Sequence, residues 1–451
     1  MSLPLGRGMF TFASVPTVTT EVYNVPKVNL TVRLFPFNSL VTPDPGKIPA
    51  ESLQWADFHN GVASALRISP SSGAIDSSWI AFNKPSDLTP EHAGFLYGLG
   101  LTGHLKEMLT WHTFGYLTPK HDLTSIGVLL GLSAANVGSS SKHVTKLLAV
   151  HTPALLPTQG VDLNVPLLTQ AAGLVGCGLL YMGTKNRRMA EVALHQISRR
   201  ELFQPDLSNE HRETYTTAAA LAFGMIMVGR GTVSSSPADA ALLARLRVLI
   251  HGEASTLPTG KPSKPTFDVN LTSPAATIAL ALMYLRTNRQ DIADILTIPD
   301  TILALNRMQP NFLLVRTIAR ALIMWDTIKP TDDWITGQIP STISQMLNEA
   351  KAQRRMVETS VELAFYHIVS GACFALALKY AGTAREEAYS KIIRFYDYFA
   401  RVPHMNGMDS FRVLARSIRS LNDVQMGQAL HSISKSVALR FAMVSTSFHS
   451  H

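Results

Sequence analysis

HAGFLYGLGLTGHL, His92 to Leu105, sets Gly98, Gly100 and Gly103 in the spacing G-x-G-x-x-G. That spacing marks a dinucleotide-binding turn when it follows a buried strand and opens the helix of a βαβ unit. Here the preceding residues, TPEHAGFL from Thr89, read as a helix entry, with a capping hydroxyl and then proline at the first helical position. Asp122 lies near the distance of a ribose-binding acid, but its context, TPKHDL, reads as another helix start.

Self-similarity gives the glycines another meaning. Two small residues separated by one spacer recur before apolar turns: Gly98/Gly100, Gly131/Ser133, Gly176/Gly178, Ala222/Gly224, Ala279/Ala281, Ala319/Ala321 and Ala375/Ala377. The anchors fall 33 to 57 residues apart, the interval of solenoid units built from two helices and a variable loop. Amphipathic partners follow most of them, such as NRRMAEVALHQI from Asn186, where Met189, Val192, Ala193 and Ile197 recur at helical steps. Glycine inside a helix costs about 1 kcal/mol against alanine, so its recurrence needs a compensating close approach of backbones. The pattern predicts an all-α solenoid of helix-turn-helix units, the small-residue helices forming a tightly curved inner layer and the amphipathic ones a wider outer layer.

Residues 1–50 are β-branched and interrupted by prolines, so they are expected to form an extended arm with an edge strand. The repeat region is expected over 51–400, with loop insertions at about 252–271 and 327–350, followed by a divergent segment at 401–451. Thr89-Pro90, Thr118-Pro119, Ser236-Pro237 and Ser273-Pro274 read as helix entries. Thr42-Pro43 and Ser69-Pro70 lie in loop-like sequence and read as sites for proline-directed kinases.

Of 451 residues 46% are hydrophobic and 16% charged, which excludes a disordered chain and leaves enough apolar surface for a large core or interface. The net charge of +8 is scattered; its densest clusters, Lys185–Arg188, Arg199 with Arg200, and Lys351–Arg355, read as solvated helix faces or contacts for acidic proteins rather than a nucleic-acid stripe. Cys177 and Cys373 lie in apolar runs and suit buried, reduced thiols. MSLPLGRGMF lacks the apolar core of a signal peptide, so the sequons at Asn29 and Asn270 carry no expectation of glycosylation. The uncharged run Leu167 to Gly183 approaches bilayer-spanning length, yet Gln170, the prolines at 157 and 166 and the charges after it favour a helix buried in protein.

No Walker, zincin or nucleophile-elbow motif is present. His92, His104, His112 and His121 lack the spacing that pairs two metal ligands on one helix face and read as caps and surface residues. No catalytic residue, cofactor or metal is expected.

LALKYAGT (Leu376–Thr383) and GCGLLYMGT (Gly176–Thr184) resemble proteasome/cyclosome repeats, found in two large non-ATPase proteasome subunits and in the largest subunit of the anaphase-promoting complex. LPLGRGMFTF (Leu3), FHNGVASALRIS (Phe58), IDSSWIAFNKP (Ile75), DLTSIGVLLGLSAA (Asp122), HTPALLP (His151) and PNFLLVRTIARALIMWD (ending at Asp326) look like the central region of the latter family. The resemblance implies a toroidal, non-catalytic scaffold in a cell-cycle ubiquitin ligase, in nucleus and cytoplasm. Doc-domain, cullin-like and helical-repeat subunits, with coactivators, are its implied partners; nucleic acid and membrane are not. Gly183 and Gly382 join the packing residues on the same ground. The alternative is a proteasome-type platform binding ubiquitin or shuttle factors. Residues from about Arg401 match no further repeat of that family, so an incomplete ring of two concentric layers, with an open apolar edge and self-association of the isolated piece, is expected.

Overall fold

A computed structural model describes residues 20–395 except 27–29, 43, 49, 157–163, 200–206, 233–235, 253–266, 354–356, 382 and 384. The chain forms two compact units that divide between Val228 and Gly229.

The first unit opens with a hairpin, β1 (Val32–Leu34) and β2 (Ser39–Val41), antiparallel with Val32 opposite Val41 and Arg33 opposite Leu40. Helices follow: α1 (Ala50–Ala65), α2 (Ser77–Phe82), α3 (Pro90–Leu101), α4 (Thr110–Leu117), α5 (Asp122–Ala135), α6 (Lys142–His151), α7 (Leu167–Leu180), α8 (Arg187–Ile197) and α9 (Asn209–Ile226). The small-residue helices α1, α3, α5, α7 and α9 pack one on the next, while α4, α6 and α8 lie on α5, α7 and α9. Composition explains the division. Nearly every residue of α3 is buried, whereas α8 buries Met189, Ala190, Ala193, Leu194 and Ile197 and exposes Arg187, Arg188 and His195.

The second unit holds α10 (Pro237–His251), α11 (Val269–Met283), α12 (Gln290–Ala293), α13 (Ile302–Arg307), α14 (Pro310–Ile323), α15 (Asp332–Thr336), α16 (Ser341–Ala352) and α17 (Thr359–Tyr380), and residues 386–395 are also helical. Again the small-residue helices α11, α14 and α17 pack in succession. The architecture is an all-α solenoid with an N-terminal strand arm.

Several sequence expectations need correction. The stretch 327–350 is not a loop: it carries α15 and most of α16, because Ile328, Ile335, Ile339 and Ile343 bury themselves in the core of the second unit. The other insertion ends earlier than expected, since Asp268 already caps α11; most of it lies outside the described residues. Thr89 and Ser236 cap their helices, but Thr118 ends α4, and His121 caps α5 by accepting from the Thr124 amide. Pro274 sits inside α11, five residues past its start, with Ser273 buried. Residues 401–451 lie outside the described residues.

Candidate functional site

The seam between the small-residue helices is where backbone meets backbone. Residues i and i+2 of a helix point about 200° apart. A small-x-small pair therefore thins both flanks of its helix. A Cβ added to Gly98 would stand 2.6 Å from the Ala65 Cβ of α1, whereas one on Gly100 would stand 2.5 Å from the carbonyl carbon of Gly131 in α5. Gly131 in turn faces α3, where a Cβ of its own would stand 3.0 Å from the Leu96 carbonyl oxygen. Ser133 faces α7, where a Cβ on Gly176 would meet its Oγ at 2.7 Å; a Cβ on Gly178 would stand 2.7 Å from the Ala222 Cα of α9. In these three pairs the first small residue thus addresses the preceding helix and the second the following one. Gly224 is buried in α9, as are Ala279 and Ala281 in α11, Ala319 and Ala321 in α14 and Ala375 in α17; Ala377 is half-buried.

Sequence reasoning missed further positions of this seam. A Cβ on Gly94 would lie 2.6 Å from the Phe58 carbonyl carbon, one on Gly127 2.9 Å from that of Ala93, and one on Gly371 2.9 Å from the Leu314 oxygen. The signal was a small residue four positions before the first anchor: Gly94/Gly98, Gly127/Gly131, Ala172/Gly176, Ala218/Ala222, Ala275/Ala279 and Gly371/Ala375. Four residues return to the same helix face.

Gly183 belongs to a different device. It is not in a helix but in the turn after α7, at φ +70°. Its amide donates to the Met225 carbonyl at 2.9 Å, and Lys185, at φ +58°, donates to that of Ile226 at 3.1 Å. The same pair of bonds recurs from Gly138 and Ser140 to Leu179 and Leu180, and from Arg286 and Asn288 to Leu322 and Ile323. Each turn thereby bonds carbonyls at the end of the next small-residue helix, the groups that a helix leaves without an i+4 amide partner. Sequence reasoning had no handle on this, because only two of the six donors are glycines. Gly382 lies outside the described residues.

The glycines of the opening motif close a helix. Gly100 occupies the last turn of α3 and Gly103, at φ +89°, the turn beyond it. A helix C-terminus presents carbonyls and the negative end of the dipole, the reverse of a phosphate cradle. Asp122 is the first residue of α5.

The histidines serve packing and capping. His92, expected as a cap or surface residue, is instead buried: its ring stacks on Tyr116, 5.6 Å between centroids, with Nε2 3.3 Å from the phenol oxygen. The Tyr116 hydroxyl donates to the Ile80 carbonyl, so Nε2 carries the proton that reaches it. Burial, with the nearby Lys84 ammonium, lowers the His92 pKa to about 4. His112 Nδ1 lies 2.6 Å from Ser77 Oγ. Burial pushes the Cys177 and Cys373 thiols up to about 12, so neither is a thiolate at neutral pH. Among the described residues no cluster of three metal-ligating side chains forms.

In the second unit Asp239 completes a capping box with Ser236 and takes Arg230 Nε and Nη2 at 3.2 and 2.7 Å; these bonds hold its carboxyl to about 2. The segment Ser360–Tyr380 of α17 is apolar and long enough to cross a bilayer, and half of it is buried inside the protein, packed on α14. The run noted in the sequence, Leu167 to Gly183, forms the 14-residue α7, packed between α5 and α9.

Among the described residues, exposed aromatic side chains fall close together at two places. The hairpin carries Phe35 and Phe37, 94% and 87% exposed, and α4 carries Trp111 and Phe114 one turn apart.

Fold and seam define a helical-repeat protein, an α-solenoid of stacked helices joined along small residues. Comparison with known proteins narrows the class. Residues 1–137 match the family described as APC1 fourth domain, and residues 142–443 match APC1 fifth domain. Anaphase-promoting complex subunit 1 of Mus musculus is 41% identical over 416 residues, 88% of this chain and 21% of that protein. The Schizosaccharomyces pombe subunit of the same name is 40% identical over 407 residues, 90% of this chain and 26% of that protein. A negative regulator of mitosis from Emericella nidulans is 37% identical over 427 residues, 94% of this chain and 20% of that protein. The chain spans between a fifth and about a quarter of the length of these relatives. It belongs to the anaphase-promoting complex subunit 1 family.

Proposed function

We propose that this chain is a non-catalytic scaffold region of an anaphase-promoting complex, acting in nucleus and cytoplasm. It holds catalytic and substrate-recognition subunits of a cell-cycle ubiquitin ligase in fixed relation. The observation that supports it best is the seam: helices in backbone contact cannot slide past one another without a clash, which suits a part whose task is to keep surfaces at set distances. Membership of the subunit 1 family supplies the complex. Doc-domain, cullin-like and helical-repeat subunits are the proposed neighbours, with the exposed aromatics of the hairpin and α4 as surfaces of the kind such contacts cover.

The test is affinity capture of the tagged full-length protein from cells, with the co-purifying proteins identified. Cullin-like and Doc-domain subunits are expected. Proteasomal ATPases in their place would favour a proteasome-type platform and overturn the reading. Valine at both Gly100 and Gly131 should reduce recovery of those subunits while the full-length protein remains expressed.

A further inference from the structure

Seven Ser/Thr-Pro dipeptides occur in the chain, at Thr42, Ser69, Thr89, Thr118, Thr152, Ser236 and Ser273. A protein kinase must seat the acceptor hydroxyl in line with the γ-phosphate of its nucleotide, so it needs an accessible side chain on a segment that can lie extended. The fold withdraws most of the seven. Thr152 and Ser273 are buried. Thr89 and Ser236 accept the amides of His92 and Asp239 as helix caps. Thr118 has helical backbone and donates to the Phe114 carbonyl at 2.7 Å. Ser69 is half-buried and bonded to Ser71 Oγ at 2.8 Å.

Thr42 differs from all of these. It is exposed and directly follows β2, and its Oγ1 lies 3.1 Å from that of Thr31, its cross-strand neighbour. Strand alternation places Thr31, Arg33, Leu40 and Thr42 on one face of the hairpin. Arg33 is diagonal to Thr42, about 7–8 Å away between backbones and within reach of a long side chain. Arg33 is exposed, and among the described residues no carboxylate pairs with it.

We propose that Thr42 is a phosphorylation site for a proline-directed protein kinase and that the Arg33 guanidinium holds the phosphate across the hairpin. In the transfer, Thr42 Oγ1 bonds to the γ-phosphorus of a nucleoside triphosphate as the bond to the β-phosphate oxygen breaks. The hydroxyl proton passes to the kinase base, and the nucleoside diphosphate leaves. One neutral hydroxyl contact becomes a doubly charged acceptor facing Arg33 and the Thr31 hydroxyl. A two-stranded hairpin is marginally stable alone, so the modification fastens the element that presents Phe35 and Phe37.

The full-length protein is treated with a proline-directed Ser/Thr kinase, ATP and magnesium, and phosphate is mapped by mass spectrometry. Hydrogen exchange over residues 30–42 is then compared before and after. Phosphate on Thr42, absent in Thr42→Val, is expected, with hairpin exchange slowed about fivefold. In Arg33→Gln, phosphate still enters but exchange does not slow. A Thr42 left unlabelled, whether or not the other six sites react, overturns the site; equal slowing in Arg33→Gln overturns the role of the arginine.

Discussion

Gly100 of α3 meets Gly131 of α5 so closely that a Cβ on the first would lie 2.5 Å from the carbonyl carbon of the second. A real Cβ cannot sit there, so the two helices must part if Gly100 gains a side chain. Helix propensity alone says that Gly→Ala should stabilise α3 by about 1 kcal/mol. The seam reverses the sign. Gly100→Ala is expected to destabilise the first unit by about 1–3 kcal/mol, whereas Gly73→Ala, where a Cβ would find open space, should be nearly neutral. Hydrogen exchange over Pro90–Leu101 separates the two; protection equal to wild type in Gly100→Ala would show that the seam can yield.

This contact also marks how far the sequence could be read. Alternation of small residues located Gly98, Gly131 and Gly176, because a missing side chain is visible in the letters. Which neighbour each one touches follows from the 200° step between i and i+2, a property of the helix that the spacing of the repeats does not express. The buried place of His92 was hidden, since its partner Tyr116 lies 24 residues on, in α4. The helices inside 327–350 were hidden because prolines 330 and 340 punctuate them, while their buried isoleucines answer to α17, a contact of long sequence separation.

The turns that cap the next helix make a second prediction. Lys185 has φ +58° and donates its amide to Ile226. Lys185→Gly relieves the left-handed strain but loosens the unfolded chain, so stability should change by less than about 1 kcal/mol. Lys185→Pro removes the donor and forbids the dihedral, and about 3 kcal/mol should be lost. Exchange over Asn209–Ile226 should rise in the proline variant alone; equal protection in both would mean that the turn does not secure α9.

Asp239 anchors the entry of α10 through Ser236 and Arg230. At neutral pH Asp239→Asn is expected to destabilise α10 by about 2 kcal/mol, through the lost ion pair and a weakened cap. The folded carboxyl titrates at about 2, below the ordinary value of 3.8. The unfolded chain therefore takes up the proton first on acidification. The stabilisation is present above pH 4 and lost between about 4 and 2. The difference between wild type and Asp239→Asn, measured by exchange over Pro237–His251, should shrink across that window; a constant gap would mean that the charge of Asp239 is not what holds the entry.

His92 runs on a different pH range for the opposite reason. Its neutral ring donates from Nε2 to Tyr116, whose hydroxyl passes the bond on to Ile80, while Lys84 donates to the Gly115 carbonyl and lies over the Tyr116 ring. Protonation would place a second charge beside Lys84 in a buried site, so the folded state resists it until about pH 4, whereas the unfolded histidine takes its proton near 6.5. Between these values the unfolded chain holds more protons, and stability rises with pH; acidification from 7 to 5 should remove about 2 kcal/mol from the packing of α2, α3 and α4. His92→Gln keeps a donor for Tyr116 and removes the titration. Its protection over α3 and α4, corrected for intrinsic exchange, should be flat from pH 7 to 5 where that of the wild type falls about thirtyfold. A wild type that is also flat over this range would place the proton on His92 in the folded state and contradict the buried, neutral ring.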